Sequence, residues 1–135
     1  MAIIYTTTGV STGMGRDGAT AIEDSDLKLD LSRPGQGDGT NPEQLFAMGY
    51  AACFHSALKG VGSAQKLSVK DSSVTASVSL DKDDDGGFSI AVKLVATIPA
   101  LSREEAEGLV EAAHQVCPYS KATRGNIPVE VSVAD

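Results

Sequence analysis

Apolar and polar residues alternate with a period of two in four stretches of the chain. These stretches are residues 27–31, 74–80, 88–98 and 129–133. Successive side chains of a β-strand point to opposite faces, so strict alternation predicts strands with one buried face. Residues 2–10 and 19–22 have a similar but less regular pattern, and we expect two further strands there. The acidic stretch 81–87 separates two alternating runs, which indicates a hairpin loop.

A long segment with no alternation, NPEQLFAMGYAACFHSALKGVG, is predicted to be the first helix. Asn41 is expected to be its N-cap and Pro42 its first helical residue. Gln44 would complete a capping box, and Gly60 and Gly62 are expected to end the helix. Its residues are apolar or small nearly all round, so we expect burial on more than one side.

The second predicted helix is SREEAEGLVEAAHQVC, which opens with a capping box of Ser102 and Glu105. Its apolar residues recur at helical spacing and form one stripe: Ala106, Leu109, Val110, Ala113 and Cys117. Cys117 is therefore expected to end a buried stripe. Hairpins combined with two helices predict an α+β fold with antiparallel pairing.

The composition narrows the classes of protein that fit this fold. The chain has 135 residues, the size of one domain, and a formal net charge of −7. An acidic surface repels phosphate backbones, which argues against nucleic acid and, more weakly, against anionic membranes as partners. The N-terminus lacks the pattern of a signal peptide, and no apolar run is long enough to span a membrane. We therefore expect a cytoplasmic protein, in which a static disulfide is not expected.

Several short motifs suggest chemistry that their context does not support. GMGRDG, residues 13–18, matches a dinucleotide-binding pattern, but the residues after it predict a strand instead of the required helix. A flexible hairpin holding Arg16 fits better. His55 lies about 200° around the helix from Cys53, and His114 with Cys117 supplies only two metal ligands. We expect no metal and no cofactor, and ordinary roles for both histidines.

The two cysteines are the remaining candidates for catalytic residues. Without a catalytic role, each would be an unreactive buried thiol. Burial raises a thiol pKa, so a reactive Cys53 would need a cation from elsewhere. Arg16, Arg33 and Arg124 lie in loop-like stretches and are candidates. A new helical turn after Cys117 would favour a thiolate at that residue. On this local argument alone, Cys117 would be the more reactive cysteine.

Four segments together resemble the organic hydroperoxide resistance (Ohr) branch of the OsmC/Ohr family. They are TGMGRDG, LDLSRPGQGDGTNPEQL, NPEQLFAMGYAACF and CPYSKATRGNIPV, and the resemblance runs essentially from end to end. Within the last segment, Lys121 stands where the family pattern leads us to expect Asn. The resemblance implies a single OsmC/Ohr-like domain over residues 1–135, with antiparallel sheets packed on a long buried central helix.

The resemblance also implies a thiol-dependent peroxidase that reduces organic hydroperoxides, including fatty-acid hydroperoxides, to alcohols. By the family pattern, Cys53 is the peroxidatic cysteine and Cys117 the resolving one, which reverses the local argument. Arg16, oriented by Glu43, would supply the missing cation. A dithiol, such as a dihydrolipoyl group on a partner protein, would reopen the Cys53–Cys117 disulfide.

Spacing along the first helix adds a prediction about assembly. Glu43 and Cys53 are ten residues apart, about 15 Å along a helix. If both belong to one site with Arg16, we expect Arg16 and Glu43 to come from a second chain, in an intertwined homodimer with shared active sites. Two other functions fit the sequence: a non-enzymatic binder or sensor of lipid or oxidised lipid that uses an apolar pocket beside Cys53, and a structural protein with inert thiols.

Overall fold

Three short strands form the first sheet of the computed structural model, which describes all residues from Met1 to Asp135. They lie in the first of two compact units, Met1–Leu45 and Phe46–Asp135. The sheet is antiparallel in the order β1-β2-β3, with bounds Gly9–Thr12, Ala19–Ile22 and Lys28–Asp30. Strand β1 overlaps the predicted strand 2–10 only at residues 9 and 10 and continues to Thr12, because β2 pairs with residues 9–12.

The GMGRDG segment forms the hairpin between β1 and β2, as predicted, and contains a 3-10 turn over Gly15–Asp17. Two glycines allow its shape. Gly13 has φ +79°, in the left-handed region that disfavours side chains. At Gly18, an added Cβ would come within 2.1 Å of the Thr12 carbonyl oxygen. The loop therefore presents Arg16 from a tight, glycine-dependent turn.

The second sheet lies in the larger unit and has the order β4-β5-β6. Strands β4 (Ser73–Lys82) and β5 (Phe88–Thr97) pair antiparallel across the predicted acidic hairpin loop. Strand β6 (Val129–Val133) pairs with β5 in parallel, which corrects the prediction of antiparallel pairing throughout. The chain crosses over between these two strands through helices, and such a crossover returns the last strand in the same direction. The predicted α+β class is confirmed.

The first helix, α1, spans Pro42–Ala64 and begins at the predicted N-cap. The backbone N–H of Gln44 donates to Asn41 Oδ1 at 2.8 Å. The rest of the predicted capping box does not form, because Gln44 Oε1 accepts a hydrogen bond from Thr40 Oγ1 instead. The start of α1 is thus set by one side-chain cap and by the proline that follows it.

The end of α1 differs from the prediction, since Gly60 and Gly62 lie inside the helix. Gly62 is a packing position, where an added Cβ would meet Val69 Cγ1 at 3.1 Å. The helix ends two residues before Lys66, which has φ +59°. The N–H of Leu67 returns to the Gly62 carbonyl at 2.9 Å, as in a Schellman motif.

One stripe of α1 is fully buried, at a spacing of four residues: Tyr50, Phe54, Leu58 and Gly62. Residues on the opposite side, including Met48 and Ala52, are exposed. The second buried face that the sequence predicts is therefore not formed within one chain.

Helices α2 (Arg103–Val116) and α3 (Pro118–Thr123) complete the larger unit. The predicted capping box of α2 is confirmed, with reciprocal hydrogen bonds between Ser102 and Glu105. The predicted buried stripe is confirmed as well. It packs with the α1 stripe and with β5 in one core, which includes Tyr50, Phe54, Leu58, Val92, Leu94, Leu109, Val110, Ala113 and Cys117.

Candidate active site: a thiol pair and an ion pair

The two cysteines lie next to each other in the larger unit as free thiols. Cys117 Sγ donates to Cys53 Sγ at a distance of 3.7 Å. Cys117 is fully buried, whereas Cys53 is half-buried. A disulfide has a sulfur–sulfur distance near 2.05 Å, so a shift of about 1.7 Å would bring the sulfurs into bonding distance.

Proline chemistry explains where Cys117 lies. Pro118 cannot donate a helical hydrogen bond, and it disfavours the helical conformation of the residue before it. Cys117 accordingly has extended backbone angles, φ −64° and ψ 124°, and is at once the C-cap of α2 and the N-cap of α3. The junction between the two helices thus holds the thiol at the end of the buried stripe.

The start of α3 acts on Cys53, and this corrects the local argument that assigned its effect to Cys117. Burial raises the pKa of the Cys53 thiol, and this is the largest influence on it. The backbone N–H of Tyr119 lowers that pKa, because a hydrogen bond to sulfur favours the thiolate. The neighbouring Cys117 raises it again. The first free N–H of α3 therefore favours the thiolate of Cys53, which lies in α1.

Arg16 and Glu43 form a second pair, within the N-terminal unit. Arg16 Nη1 donates to Glu43 Oε2 at 2.8 Å, and Nη2 donates to Oε1 at 2.6 Å. This two-bond fork fixes the plane of the guanidinium. The hydrogen bond from Arg16 lowers the pKa of the Glu43 carboxyl, and the same bond raises the pKa of Arg16. Glu43 lies in the first turn of α1, where the helix dipole also favours a carboxylate.

The other two candidate arginines have different partners. Arg33 Nε donates to Asp17 Oδ2 at 3.0 Å, which ties down the turn that carries Arg16. Arg124 Nη1 donates to the carbonyl oxygen of His114 at 2.9 Å. The structure thus brings the four predicted site residues together as two pairs, Arg16 with Glu43 and Cys53 with Cys117.

Lys121, which departs from the family pattern, has an exposed side chain. Its backbone N–H donates to the Cys117 carbonyl oxygen at 2.9 Å and closes the first turn of α3. Nothing in the structure explains the lysine side chain itself.

Two further features lie near the thiols: an apolar cavity, which the sequence led us to expect, and a set of buried hydroxyls, which it did not. One is a mostly apolar cavity of about 630 Å³, lined by Phe46, Ile90, Pro118, Tyr119, Ala122, Thr123, Asn126 and Ile127. Tyr119 connects it to the thiols, because its backbone N–H lowers the pKa of the Cys53 thiol. The other is a set of buried hydroxyls around Tyr50, in which His114 takes part. The signal that was available is the pair of polar residues Ser120 and Thr123, three apart in a short helix.

Comparisons with known proteins show the protein family to which the chain is similar. The sequence profile of the OsmC-like protein family matches residues 35–132. The organic hydroperoxide resistance protein OhrB of Bacillus subtilis is 50% identical over 125 residues, which cover 88% of this chain and 90% of that protein. A Xanthomonas axonopodis pv. citri protein named organic hydroperoxide resistance protein is 46% identical, covering 98% of this chain and 96% of its own length.

The solved structures agree with the sequence comparisons. The crystal structure of B. subtilis OhrB matches with a TM-score of 0.91 at 46% identity, over 98% of this chain and 100% of that chain. The chain belongs to the OsmC/Ohr family and has its α+β fold. No helix in the structure has the length and apolar character needed to cross a membrane.

Proposed function

We propose that the protein is a two-cysteine organic hydroperoxide reductase, built as a single OsmC/Ohr-like domain over residues 1–135. It would reduce organic hydroperoxides, including fatty-acid hydroperoxides, to alcohols. The observation that carries the proposal is the 3.7 Å separation of the Cys53 and Cys117 sulfurs, in a chain whose relatives are named organic hydroperoxide resistance proteins. Inert thiols would have no need of such proximity.

Cys53 is the peroxidatic residue in this proposal. Its thiolate attacks the terminal peroxide oxygen, the S–O bond forms as the O–O bond breaks, and the alkoxide takes a proton to become the alcohol. Two observations support Cys53 as the peroxidatic residue: its side chain is half-buried, whereas Cys117 is fully buried, and the backbone N–H of Tyr119 lowers the pKa of its thiol. The product is a sulfenic acid on Cys53.

Arg16 stabilises the charge that develops on the leaving alkoxide, and Glu43 orients Arg16. The fork between them supports these roles, because both guanidinium bonds are directed and short. Glu43 and Cys53 lie ten residues apart in the continuous helix α1, about 15 Å by helical rise. We therefore propose an intertwined homodimer in which Arg16 and Glu43 of one chain complete the site at Cys53 of the other.

The substrate's organic group would occupy the apolar cavity that Tyr119 and Phe46 line. An apolar cavity favours bulky organic hydroperoxides over hydrogen peroxide, because burial of a hydrocarbon tail contributes binding energy that hydrogen peroxide lacks. Afterwards an external dithiol, such as a dihydrolipoyl group on a partner protein, reopens the disulfide by thiol exchange. A cycle that returns to free thiols suits the reducing cytoplasm, which is the location we propose.

The first test is a count of free thiols before and after one equivalent of cumene hydroperoxide. We expect both thiols of each chain to be lost together and to return with dithiothreitol. Reduction of the peroxide to its alcohol is followed in the same sample. Retention of both thiols after exposure would refute the proposal.

Substitutions assign the two roles. Cys53→Ser should abolish turnover with a dithiol present, because the nucleophile is gone. Cys117→Ser should allow one turnover and leave an oxidised Cys53, detected by mass spectrometry. Full activity in Cys53→Ser would contradict the assignment.

The cavity also favours a second candidate function, a binder or sensor of lipid or oxidised lipid. This function predicts binding of a fatty acid that neither cysteine substitution changes, without consumption of peroxide. A fluorescent fatty-acid titration of the wild type, Cys53→Ser and Cys117→Ser separates it from the peroxidase.

A further inference from the structure

A chain of buried hydrogen bonds lies behind the thiol pair. Tyr50 Oη is 2.8 Å from Ser120 Oγ and 3.1 Å from Thr123 Oγ1. Ser120 Oγ is in turn 2.8 Å from His114 Nδ1. We call these four residues the hydroxyl cluster. It joins three helices, because Tyr50 belongs to α1, His114 to α2, and the other two residues to α3.

The hydroxyl cluster is part of the core. Tyr50 and Ser120 are fully buried, and Thr123 is 5% exposed. A buried hydroxyl costs free energy unless it is hydrogen-bonded, and here the hydroxyls satisfy one another. Helix α3 has only six residues and cannot be stable alone. Its position against α1 and α2 therefore depends on tertiary contacts, and these hydrogen bonds act there together with the packing of Tyr119 against α1.

The cluster is in register with both cysteines. Tyr50 lies three residues before Cys53, while His114 lies three residues before Cys117 and Ser120 three after it. Tyr50 and Cys53, three apart in α1, are neighbours on nearly the same face, and Cys117 caps both the helix of His114 and the helix of Ser120. The hydrogen bonds thus link points one turn away from each sulfur, on every helix that approaches the thiol pair.

Disulfide formation is sensitive to such anchoring. The sulfurs are 3.7 Å apart and must approach to about 2.05 Å with a narrow range of torsion angles. Small displacements of reacting groups slow reactions strongly, by up to about a hundredfold for 1 Å. A loosened α3 would move Cys117, which is its N-cap, out of line with Cys53.

We propose that Tyr50, Ser120 and His114 are positioning residues that hold Cys117 for the disulfide-forming step. In that step, which rests on the proposed function, Cys117 Sγ attacks the sulfenic sulfur of Cys53. The S–S bond forms, the S–O bond breaks, and the hydroxyl group leaves as water with the proton of the Cys117 thiol. Fast disulfide formation protects Cys53, since a sulfenic acid that persists is oxidised further to sulfinic acid by excess peroxide.

If the hydroxyl cluster acts by positioning Cys117, its disruption should affect sulfenic acid formation and disulfide closure differently. Tyr50→Phe and Ser120→Ala each remove one hydroxyl and should slow disulfide closure at least fivefold, because a neutral hydrogen bond contributes a factor of about five. Sulfenic acid formation should slow by a clearly smaller factor than closure, since attack on the peroxide does not use Cys117 and is affected only through the α3 residue Tyr119, whose N–H favours the Cys53 thiolate. Rapid-mixing mass spectrometry resolves the sulfenic, sulfinic and disulfide forms.

The chain offers a matched control. His55 Nε2 and Ser72 Oγ form the other histidine–serine hydrogen bond, at 2.9 Å. Ser72→Ala should leave both steps at wild-type rates. The proposal would be overturned by unchanged disulfide closure in both cluster variants, by equal slowing of both steps, or by the same slowing in Ser72→Ala. Should Ser120→Ala fail to fold by circular dichroism, Tyr50→Phe decides, because it removes a single oxygen atom.

Oxidation by diamide separates failure of this inference from failure of the proposed function. Diamide couples two nearby thiols without any peroxide, so it tests positioning even in a protein that does not consume hydroperoxides. We expect wild type and Ser72→Ala to form the Cys53–Cys117 disulfide faster than Tyr50→Phe and Ser120→Ala. Equal diamide rates in all four proteins would refute positioning, whatever the peroxidase assay gives.

Discussion

The thiol pair and the ion pair are held by different kinds of force. Cys53 and Cys117 meet in the core, where helix packing, a proline junction and buried hydrogen bonds set the distance between the two sulfurs. Arg16 and Glu43 meet in the N-terminal unit, where two charged hydrogen bonds hold side chains that are 43% and 17% exposed. The first pair depends on shape and the second on charge.

This difference predicts which perturbations affect each pair. A conservative change that preserves volume but removes charge should disable the ion pair and leave the thiols in place. A change that adds one methyl group to a packed helix should disturb the surroundings of the thiols and leave the ion pair in place. Salt and acid weaken exposed charge pairs, but they have little effect on the packing of neutral groups.

The largest effect is expected from removing the guanidinium. Arg16→Met keeps much of the side-chain length and should slow sulfenic acid formation about a hundredfold or more, because one directed donor to a developing charge contributes ~3–4 kcal/mol in other enzymes. Arg16→Lys keeps the charge without the fork and should recover only part of the rate. Stopped-flow oxidation by cumene hydroperoxide measures both. The amount of disulfide that excess diamide finally forms should not change; a loss there would show that the pairs are not separable.

A moderate effect is expected from a methyl group on α1. An added Cβ at Gly49 would lie 2.8 Å from Tyr119 Oη, so Gly49→Ala must displace that ring. We expect a loss of roughly 1–3 kcal/mol in unfolding free energy from overpacking. We expect the Tyr119 backbone N–H, which favours the Cys53 thiolate, to shift with the ring, so the Cys53 pKa should also rise. Urea unfolding and thiolate absorbance measure the two effects.

Gly60→Ala is the matched control on the same helix, since nothing lies within 4 Å of its added Cβ. It should increase stability by about 0.5–1 kcal/mol, as alanine does in helix interiors. If Gly49→Ala proved as stable as Gly60→Ala, the tight packing of Tyr119 against α1 would be wrong.

The smallest expected effect is the change in unfolding free energy at acid pH. Arg16 lowers the pKa of Glu43 below its ordinary value of 4.5, so the folded state binds that proton less readily than the unfolded state. The stabilisation is present above the unfolded pKa and is lost as pH falls through the folded pKa. For an exposed pair we expect less than about 1 kcal/mol. The difference in unfolding free energy between wild type and Glu43→Gln should shrink from neutral pH to acid pH, and a constant difference would contradict it.

Local sequence signals predicted most of the secondary structure. The alternation of residues 88–98 became β5, and Ser102 with Glu105 capped α2 as expected. The failures lie where a local signal competed with packing. Gly62 resembles a helix stop, but it remains helical because Leu67 and Val69 pack against it. Strand β6 has the alternation of an antiparallel strand, yet its direction depends on the crossover before it.

For the candidate site, the sequence by itself determined which groups are available: two cysteines in distinctive motifs, an arginine in a glycine-rich hairpin and a glutamate at a helix start. It also determined the family, through motifs that span the chain. Only the tertiary structure decided that Cys117 lies 3.7 Å from Cys53, that the Tyr119 N–H serves Cys53, and that Ser120 is buried against Tyr50. Caps and periodicity depend on residues a few positions apart, whereas these contacts join residues more than sixty positions apart and exist only when three helices pack together.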